Sequence, residues 1–569
     1  MGFFDGFPWA NGHQLNLDWI LEALRKFEDK LPEFQEEINA EFERLQKQYE
    51  DFAATNTVTY RGDWNSQLSY KKWDVVTNGL DVYLSVDQVP RGIPLDDTRY
   101  WQKAGSLTPE FAALEQQIEE LQTVIGVFST LEEMISFPNL VTDGVYKILA
   151  RNAGDYGQAY YKIAESYQED DYFVELPDGR YAVMLPIVVT VDAFGPPVDA
   201  DASEVFNTAT KWAAKHVSLL LIPPKQYRVN DVVLYTDLEI RGMSRQKSIL
   251  YVTEGSCCLK SVNFEDLMED VPDTKMPDQI AIKNLTILGD ADYSKTIRGI
   301  NLYCSNPTID CVTIRNVSGD GVYSQSDPNK LLPPIYKIEG NFRNVDIMFV
   351  GGHGWHFDGP NDSHFQNITV VDASQKEDNV YASLFLNTAN CRMDMVHCWN
   401  FADGAGYQRP RYALHVPTGA GLQITNSHFE GARTTNVFIY KGVVTMTNCS
   451  IYSSLGNTNM ILGGSFCTFD NCFWDDFPTE LNKIYCSVAF LEGARWNKFS
   501  GVALSKDGYF ADEVNSDHNS FDLRTFKEDV YPIINPQFQT SEYNILGPFE
   551  DTALTPHFSK PYTVHVAGE

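Results

Sequence analysis

From about residue 280 the chain repeats itself, and this limits the folds open to it more than any other feature. The stretches TNVFIYKGVVTMTNC (435–449) and TNMILGGSFCTFDNC (458–472) share Thr, Asn, Thr, Asn and Cys at an offset of 23. An Asn-x-x-apolar element recurs more widely: NLTI at 284, NVDI at 344, NITV at 367, NSHF at 426, NCSI at 448 and NCFW at 471, with CVTI at 311 and MDMV at 393 as substituted copies. Successive copies are 27, 33, 23, 26, 33, 22 and 23 residues apart, which fits a rung of 22–23 residues with loops of varied length inserted. One such rung cannot bury its apolar side chains, but a stack of rungs makes a continuous core. The expected fold is therefore mainly β, a parallel β-helix of short strands with alternate residues inward. Asn at a fixed corner tolerates left-handed backbone and can hydrogen-bond the Asn of the rungs above and below. Gly319-Asp320-Gly321-Val322 and Gly352-His353-Gly354-Trp355 are read as further corners, and rungs are expected to continue through WNKFSGVAL (496–504) and HNSFDLRTF (518–526).

A solenoid needs a cap, because its open end exposes strand edges and apolar interior. The stretch VDAFGPPVDADASEVFNTATKWAAK (191–215) supplies a turn, an acidic run and a helix with Val205, Ala209, Trp212 and Ala213 on one face. LLLIPPKQYRV (219–229) then reads as the first rung strand. Together these segments resemble the start of the pectate-lyase-superfamily β-helix found in bacteriophage tailspikes, and the resemblance extends over roughly 190–525. It implies a right-handed parallel β-helix and a homotrimer. It also implies N-terminal attachment to other virion tail or collar proteins and a host cell-surface glycan as the ligand, bound and cleaved during adsorption. A receptor-binding or structural appendage with the same fold and no catalysis is the alternative.

The segments ahead of the solenoid differ in character. Leu17, Leu24, Leu31, Ile38, Leu45 and Phe52 recur every seven residues, with Ile20, Phe27 and Phe34 in the second seam position and Pro32 interrupting. Residues 1–56 are therefore expected to be a helical virion-attachment segment. Residues 57–106 crowd aromatics between the turn signals Asn78-Gly79 and Gly92-Ile93-Pro94. Their layout, YRGDW…YKKWDVV…VYLS…GIPL…YWQ, resembles the small chitin-binding-type carbohydrate modules. That implies a glycan-facing strip, with Trp64, Trp73, Tyr83 and Trp101 as candidates. Phe111, Leu114, Ile118, Leu121, Ile125 and Phe128 form a second heptad run, so 107–139 is read as helical and coiled-coil-like. Residues 140–187 are read as a small β domain with a hairpin at Asp178-Gly179, 188–525 as the β-helix, and 526–569 as a C-terminal cap without a rung signal.

Composition excludes several function classes. With 77 Asp+Glu against 44 Lys+Arg, the net charge of −33 opposes nucleic acid and anionic membranes as partners. No apolar run is long enough to span a bilayer, so no membrane insertion is expected. The N-terminal MGFFDGFPWANG lacks the basic and apolar regions of a secretion signal, which fits synthesis in a host cytoplasm and residence in a virion tail. The ten Cys show no CxxC or Cys/His zinc spacing and read as buried free thiols.

Nucleophile elbows, P-loops and HExxH are absent, so glycan cleavage would need paired carboxylates, or a base with charge neutralisation. Arg and Lys are dispersed along the sequence and nominate no lyase base. GGHGWHFDGPNDSHF (351–365) offers Asp358 and Asp362, with His353, His356 and His364 nearby and Trp355 as a stacking surface. Asp358 and Asp362 are also candidate ligands for a divalent cation, although no cofactor is required by any motif. Glu430 and Asp475 stand four residues after the Asn of NSHF and of NCFW, with Asp476 following. Equal offsets place Glu430 and Asp475 on one face two rungs apart, roughly 9–10 Å, which is near the upper range for an inverting carboxylate pair. Tyr452 fills the same slot in the rung between them.

Overall fold

A computed structural model describes residues 59–72, 74–78, 81–106, 124–196, 200–331, 338–376, 381–400, 408–452, 454, 458–476, 486–491, 493–505, 509–512, 519–525 and 545–546. The heptads over 15–52, most of the second heptad run, Trp73 and nearly all of 526–569 lie outside the described residues. The chain divides into two compact units, Met1–Glu120 and Leu121–Glu569.

In the first unit, strands Thr59–Asp63, Asp74–Asn78, Asp81–Ser85 and Trp101–Ser106 form one sheet in that order. The second and third make the hairpin signalled by Asn78-Gly79, with Asn78 opposite Asp81. A domain this small has few side chains with which to build a core, so it uses its rings. Tyr70, Val76, Val89 and Trp101 are buried together, and Tyr70 meets Trp101 edge-on at 5.2 Å.

The second unit opens with a five-stranded sheet that includes Val124–Phe128 and the Phe173–Glu175/Tyr181–Met184 hairpin around Gly179. The strand Val124–Phe128 corrects the helical reading of the end of the second heptad run. Val-Ile-Gly-Val-Phe suits a strand by propensity, and pairing with Val145–Ile148 decides the matter. A short helix, α1 (Leu131–Ile135), follows, capped by the Thr130 side chain.

The motif at 191–229 then works as an anchor and a lid. Asp192 is 1% exposed; it accepts the Tyr227 hydroxyl at 2.8 Å, pairs with Lys225 Nζ at 2.9 Å and accepts the Tyr156 amide at 3.1 Å. The buried Asp of VDAFG and the partly exposed Lys and buried Tyr of PPKQYRV thus form one ionic joint between the small sheet and the first rung. Helix α2 (Ser203–His216) buries Phe206, Ala209, Thr210, Trp212 and Ala213 over the open end, and Val205 packs partly against the same core. Its Asn207 Oδ1 accepts the Val233 amide at 2.7 Å, satisfying an edge group of the first rung.

Beyond α2 the chain is a three-sided parallel β-helix. Two columns of strands belong to one 21-stranded sheet, and the third side is a separate 11-stranded sheet. The first two columns meet at a single left-handed residue per rung. Its φ is 54° at Asn284, 56° at Cys311, 55° at Asn344, 54° at Asn367, 54° at Met395, 50° at Asn426, 54° at Asn448 and 48° at Asn471. The expected Asn ladder is present: Asn367 Nδ2 donates to Asn344 Oδ1 at 2.9 Å and Asn471 Nδ2 to Asn448 Oδ1 at 2.8 Å. One copy shifts by two residues. Gln366 pairs with Asp394 and Ile368 with Val396, so Met395, not Met393, occupies the corner. Met-x-x-apolar is satisfied in either frame, and only the pairing chooses between them.

The interior is continuous from the small sheet to Phe499. The nine cysteines whose side chains are described are free thiols, eight of them buried and Cys311 half-buried. The repeat continues in Lys498–Ser505 and Ser520–Thr525, and Ile545–Leu546 adds one more strand in a stretch read as a cap. Among the described residues no helix is long and apolar enough to cross a membrane.

Candidate functional site

Strand parity decides what the loop at 351–365 presents. In Trp355–Asp358 the pattern alternates, with Trp355 and Phe357 inward and His356 and Asp358 outward. Trp355 is fully buried, with its ring 4.8 Å from Phe342 and 5.3 Å from Phe365, so it is a core residue and not a stacking surface. One residue of offset along a strand exchanges the two faces. Trp101 is corrected in the same way: it is 2% exposed, and Trp64 and Tyr83 pack partly buried around it.

The outward position of His356 belongs to a column that crosses the 11-stranded sheet. Register pairs Tyr323 with His356, His356 with Phe385, Phe385 with His415 and His415 with Phe438. Adjacent rings lie 4.6–5.1 Å apart, and His415 stacks on Phe438 at 10°. Five rungs at strand spacing make a ribbon of rings about 19 Å long. His356 Nε2 is 3.0 Å from Asp358 Oδ2, and Asn387 Nδ2 donates to Asp358 Oδ1 at 3.1 Å. Burial works to raise the Asp358 carboxyl, but the His356 hydrogen bond and charge, with Asn387, outweigh it and hold the group below the ordinary Asp range. Burial pushes His415 down to about 4.

Beside this ribbon lies a cleft of about 230 Å³. Arg298, Asp320 and His353 line it from equivalent positions, each two residues ahead of an inward residue of its rung, and Lys376 and Tyr381 come from a loop. Asp320 is buried; its Oδ2 accepts Arg298 Nε at 3.0 Å and its Oδ1 accepts the His353 amide at 2.8 Å. Gly352 makes room for it, since a Cβ there would lie 2.3 Å from Asp320 Oδ1. The Arg298 guanidinium lies over the Tyr323 ring, 4.6 Å from its centroid. His353 Nδ1 accepts the Ala382 amide at 3.0 Å, which leaves the neutral ring with its proton on Nε2. Burial pushes its pKa down to about 4. Sequence reasoning missed Arg298, Lys376 and Tyr381; counting back from the inward residue of each rung would have found the first.

The carboxylate column expected around Glu430 lies on another side of the prism. Register pairs Glu430 with Tyr452 and Tyr452 with Asp475, so the backbone column is as counted. The side chains of Asp475 and Asp476 lie outside the described residues. His397 Nε2 is 3.0 Å from Glu430 Oε1. Burial works to raise the Glu430 carboxyl, while hydrogen bonds from His397 and Tyr452 outweigh it and leave the group below the ordinary Glu range. Asp362 is exposed at a left-handed turn. Among the described residues no three His, Cys, Asp or Glu side chains converge as a metal site.

No protein-family profile matches the chain. The capsule K8-specific depolymerase 1 of Klebsiella phage K5-4 is 28% identical over 160 residues. This chain resembles a phage depolymerase. The match covers 27% of this chain and 21% of that relative, so the chain matches about a fifth of the relative's length. Solved structures similar to it include the full-length tailspike protein 2 of Escherichia coli O157:H7 bacteriophage CAB120, at 11% identity, TM-score 0.47, with 80% of this chain and 63% of that one covered. The A-module of Azotobacter vinelandii mannuronan C-5 epimerase AlgE4 matches at 15% identity and TM-score 0.45, over 67% of this chain and 100% of that one. The tailspike of Acinetobacter baumannii phage AM24 matches at 13% and 0.46, over 75% and 68%.

Proposed function

We propose that this chain is a phage tail appendage that binds a host surface polysaccharide and cleaves it during adsorption. In this reading it works as a homotrimer attached to the virion through its N-terminal segment. The observation that carries the reading is the outward ribbon His356–Phe385–His415–Phe438, which continues the column from the buried Tyr323 and lies beside a polar cleft, since sugar rings stack on such faces. The identity to a phage protein named as a capsule depolymerase supports it. For the chemistry we assign Glu430 as the ionised base and Asp475 as its partner acid on the opposite side of one glycosidic bond.

A binding appendage without catalysis is favoured by one observation: the two described carboxyls paired with histidine, Asp358 and Glu430, are both held ionised, and neither is poised as a general acid. The deciding experiment incubates the full-length protein with purified bacterial capsular polysaccharides and reads products by mass spectrometry. Defined oligosaccharides establish cleavage, and saturated ends identify hydrolysis. Saturable binding without products supports the binding reading. Light scattering at a multiple of three of the 64.3 kDa chain mass tests the trimer.

A further inference from the structure

The cleft holds two cations and one carboxylate in a chain whose net charge is −33. Arg298 uses its Nε on Asp320 Oδ2, and among the described residues neither terminal amino group has a protein hydrogen-bond partner. Lys376 Nζ donates to Thr296 Oγ1 at 2.6 Å and makes no ion pair among the described residues. Two histidines, His353 and His356, also line the cleft; His353 is half-buried, and with its Nδ1 accepting the Ala382 amide and its pKa pushed down to about 4 it adds a donor and no charge. Long-range repulsion from the acidic surface disfavours any anionic polymer, so an acidic ligand needs local cations of this kind.

The guanidinium is also preorganised. The Asp320 bond and the Tyr323 ring restrain its plane, which lowers the rotamer entropy lost when a ligand binds. Its unused edge matches a planar carboxylate, which a neutral sugar hydroxyl does not.

We propose that this cleft is a subsite for an acidic sugar, a residue whose carboxylate sits between the terminal amino groups of Arg298 and Nζ of Lys376, with neighbouring sugars on the ring column from His356 onward. The proposal rests on the reading that this face engages glycan. It differs from that reading in naming the charge of the ligand.

The test uses the full-length protein and a panel of purified capsular polysaccharides with neutral, hexuronate-containing and phosphate-bearing repeats. Each bound acidic polymer is also assayed after chemical reduction of its carboxyl groups. Hexuronate polymers are expected to bind, and carboxyl reduction to weaken them about tenfold, the loss of one charge-assisted contact. Lys376→Gln should weaken the native polymer several-fold, leave the reduced polymer unchanged, and be rescued by Lys376→Arg. Arg298→Lys retains a partner for the buried Asp320 but loses the fork, and should weaken the native polymer similarly. Binding of a neutral polymer as tight as any acidic one, or affinity unchanged by reduction, overturns the proposal and leaves the glycan-binding function standing. Preference for phosphate over hexuronate overturns the carboxylate assignment. Failure to bind any polymer removes both readings.

Discussion

Glu430→Gln is the sharpest perturbation for the catalytic assignment. The carboxylate is held ionised by His397 at 3.0 Å and by Tyr452, and the amide keeps the size and one acceptor oxygen while removing the charge. As a general base Glu430 is expected to contribute about 10²–10⁴-fold to kcat, equivalent to about 3–5 kcal/mol of barrier. The effect on folding should stay under about 1 kcal/mol, because the pair is partly solvated. Asp475→Asn should cost a similar factor, and the double variant little more, since both groups act on one bond. Backbone register places them two rungs apart, roughly 9–10 Å, which predicts inversion at the anomeric carbon. Activity should rise with pH through a pKa below 4.5, because the lowered Glu430 is already deprotonated above it. The assay is initial rate of reducing-end release, with product configuration read by proton NMR at early times. If Glu430→Gln keeps its rate within about threefold while Asp358→Asn abolishes it, the assignment is refuted and the His356–Asp358 pair takes the role.

Other expectations concern the fold. His353 has a folded pKa of about 4 against 6.5 unfolded, so the unfolded chain binds the extra proton between these values and stability falls as pH drops through that window. The loss should total about 3 kcal/mol, and calorimetry of His353→Gln should show a shallower pH slope than wild type. Asn448→Ala removes both the 2.8 Å bond accepted from Asn471 and the 3.4 Å bond donated to Asn426 and leaves an ordinary side chain at φ 54°, so it should cost about 2–3 kcal/mol in denaturant unfolding. Met395→Asn, which places the better-suited residue in the same left-handed slot, should stabilise by about 1 kcal/mol in the same assay. Trp355→Ala should destabilise by about 3–5 kcal/mol, whereas a ring that only stacked on sugar would leave the melting temperature unchanged.

The sequence carried the solenoid because its period is local: every rung needs a left-handed corner, and Asn marks that need at 284, 344, 367, 426, 448 and 471. For the same reason, counting from those corners placed Glu430, Tyr452 and Asp475 in one column correctly. The cap helix was legible from the spacing of its apolar face, and the structure buries that face over the first rung. Counting failed where the local pattern was ambiguous. Met393 and Met395 both satisfy the corner signature, and Val124–Phe128 satisfies both a heptad and a strand.

What only the tertiary structure decided is which side of each strand meets water and which distant residues share a cleft. Trp355 and His356 are neighbours in sequence with equal claim to a glycan, yet the pleat sends one into the core and the other to the surface. Trp101 went inward because the small sheet has little else to bury. Arg298 and Lys376 carry no common motif and come from different rungs; they converge because stacking brings the start of one strand beside a loop inserted three rungs later. Periodicity is written in the chain because each rung must satisfy its own backbone. A site assembled across rungs is set by register and loop length, which no single rung encodes.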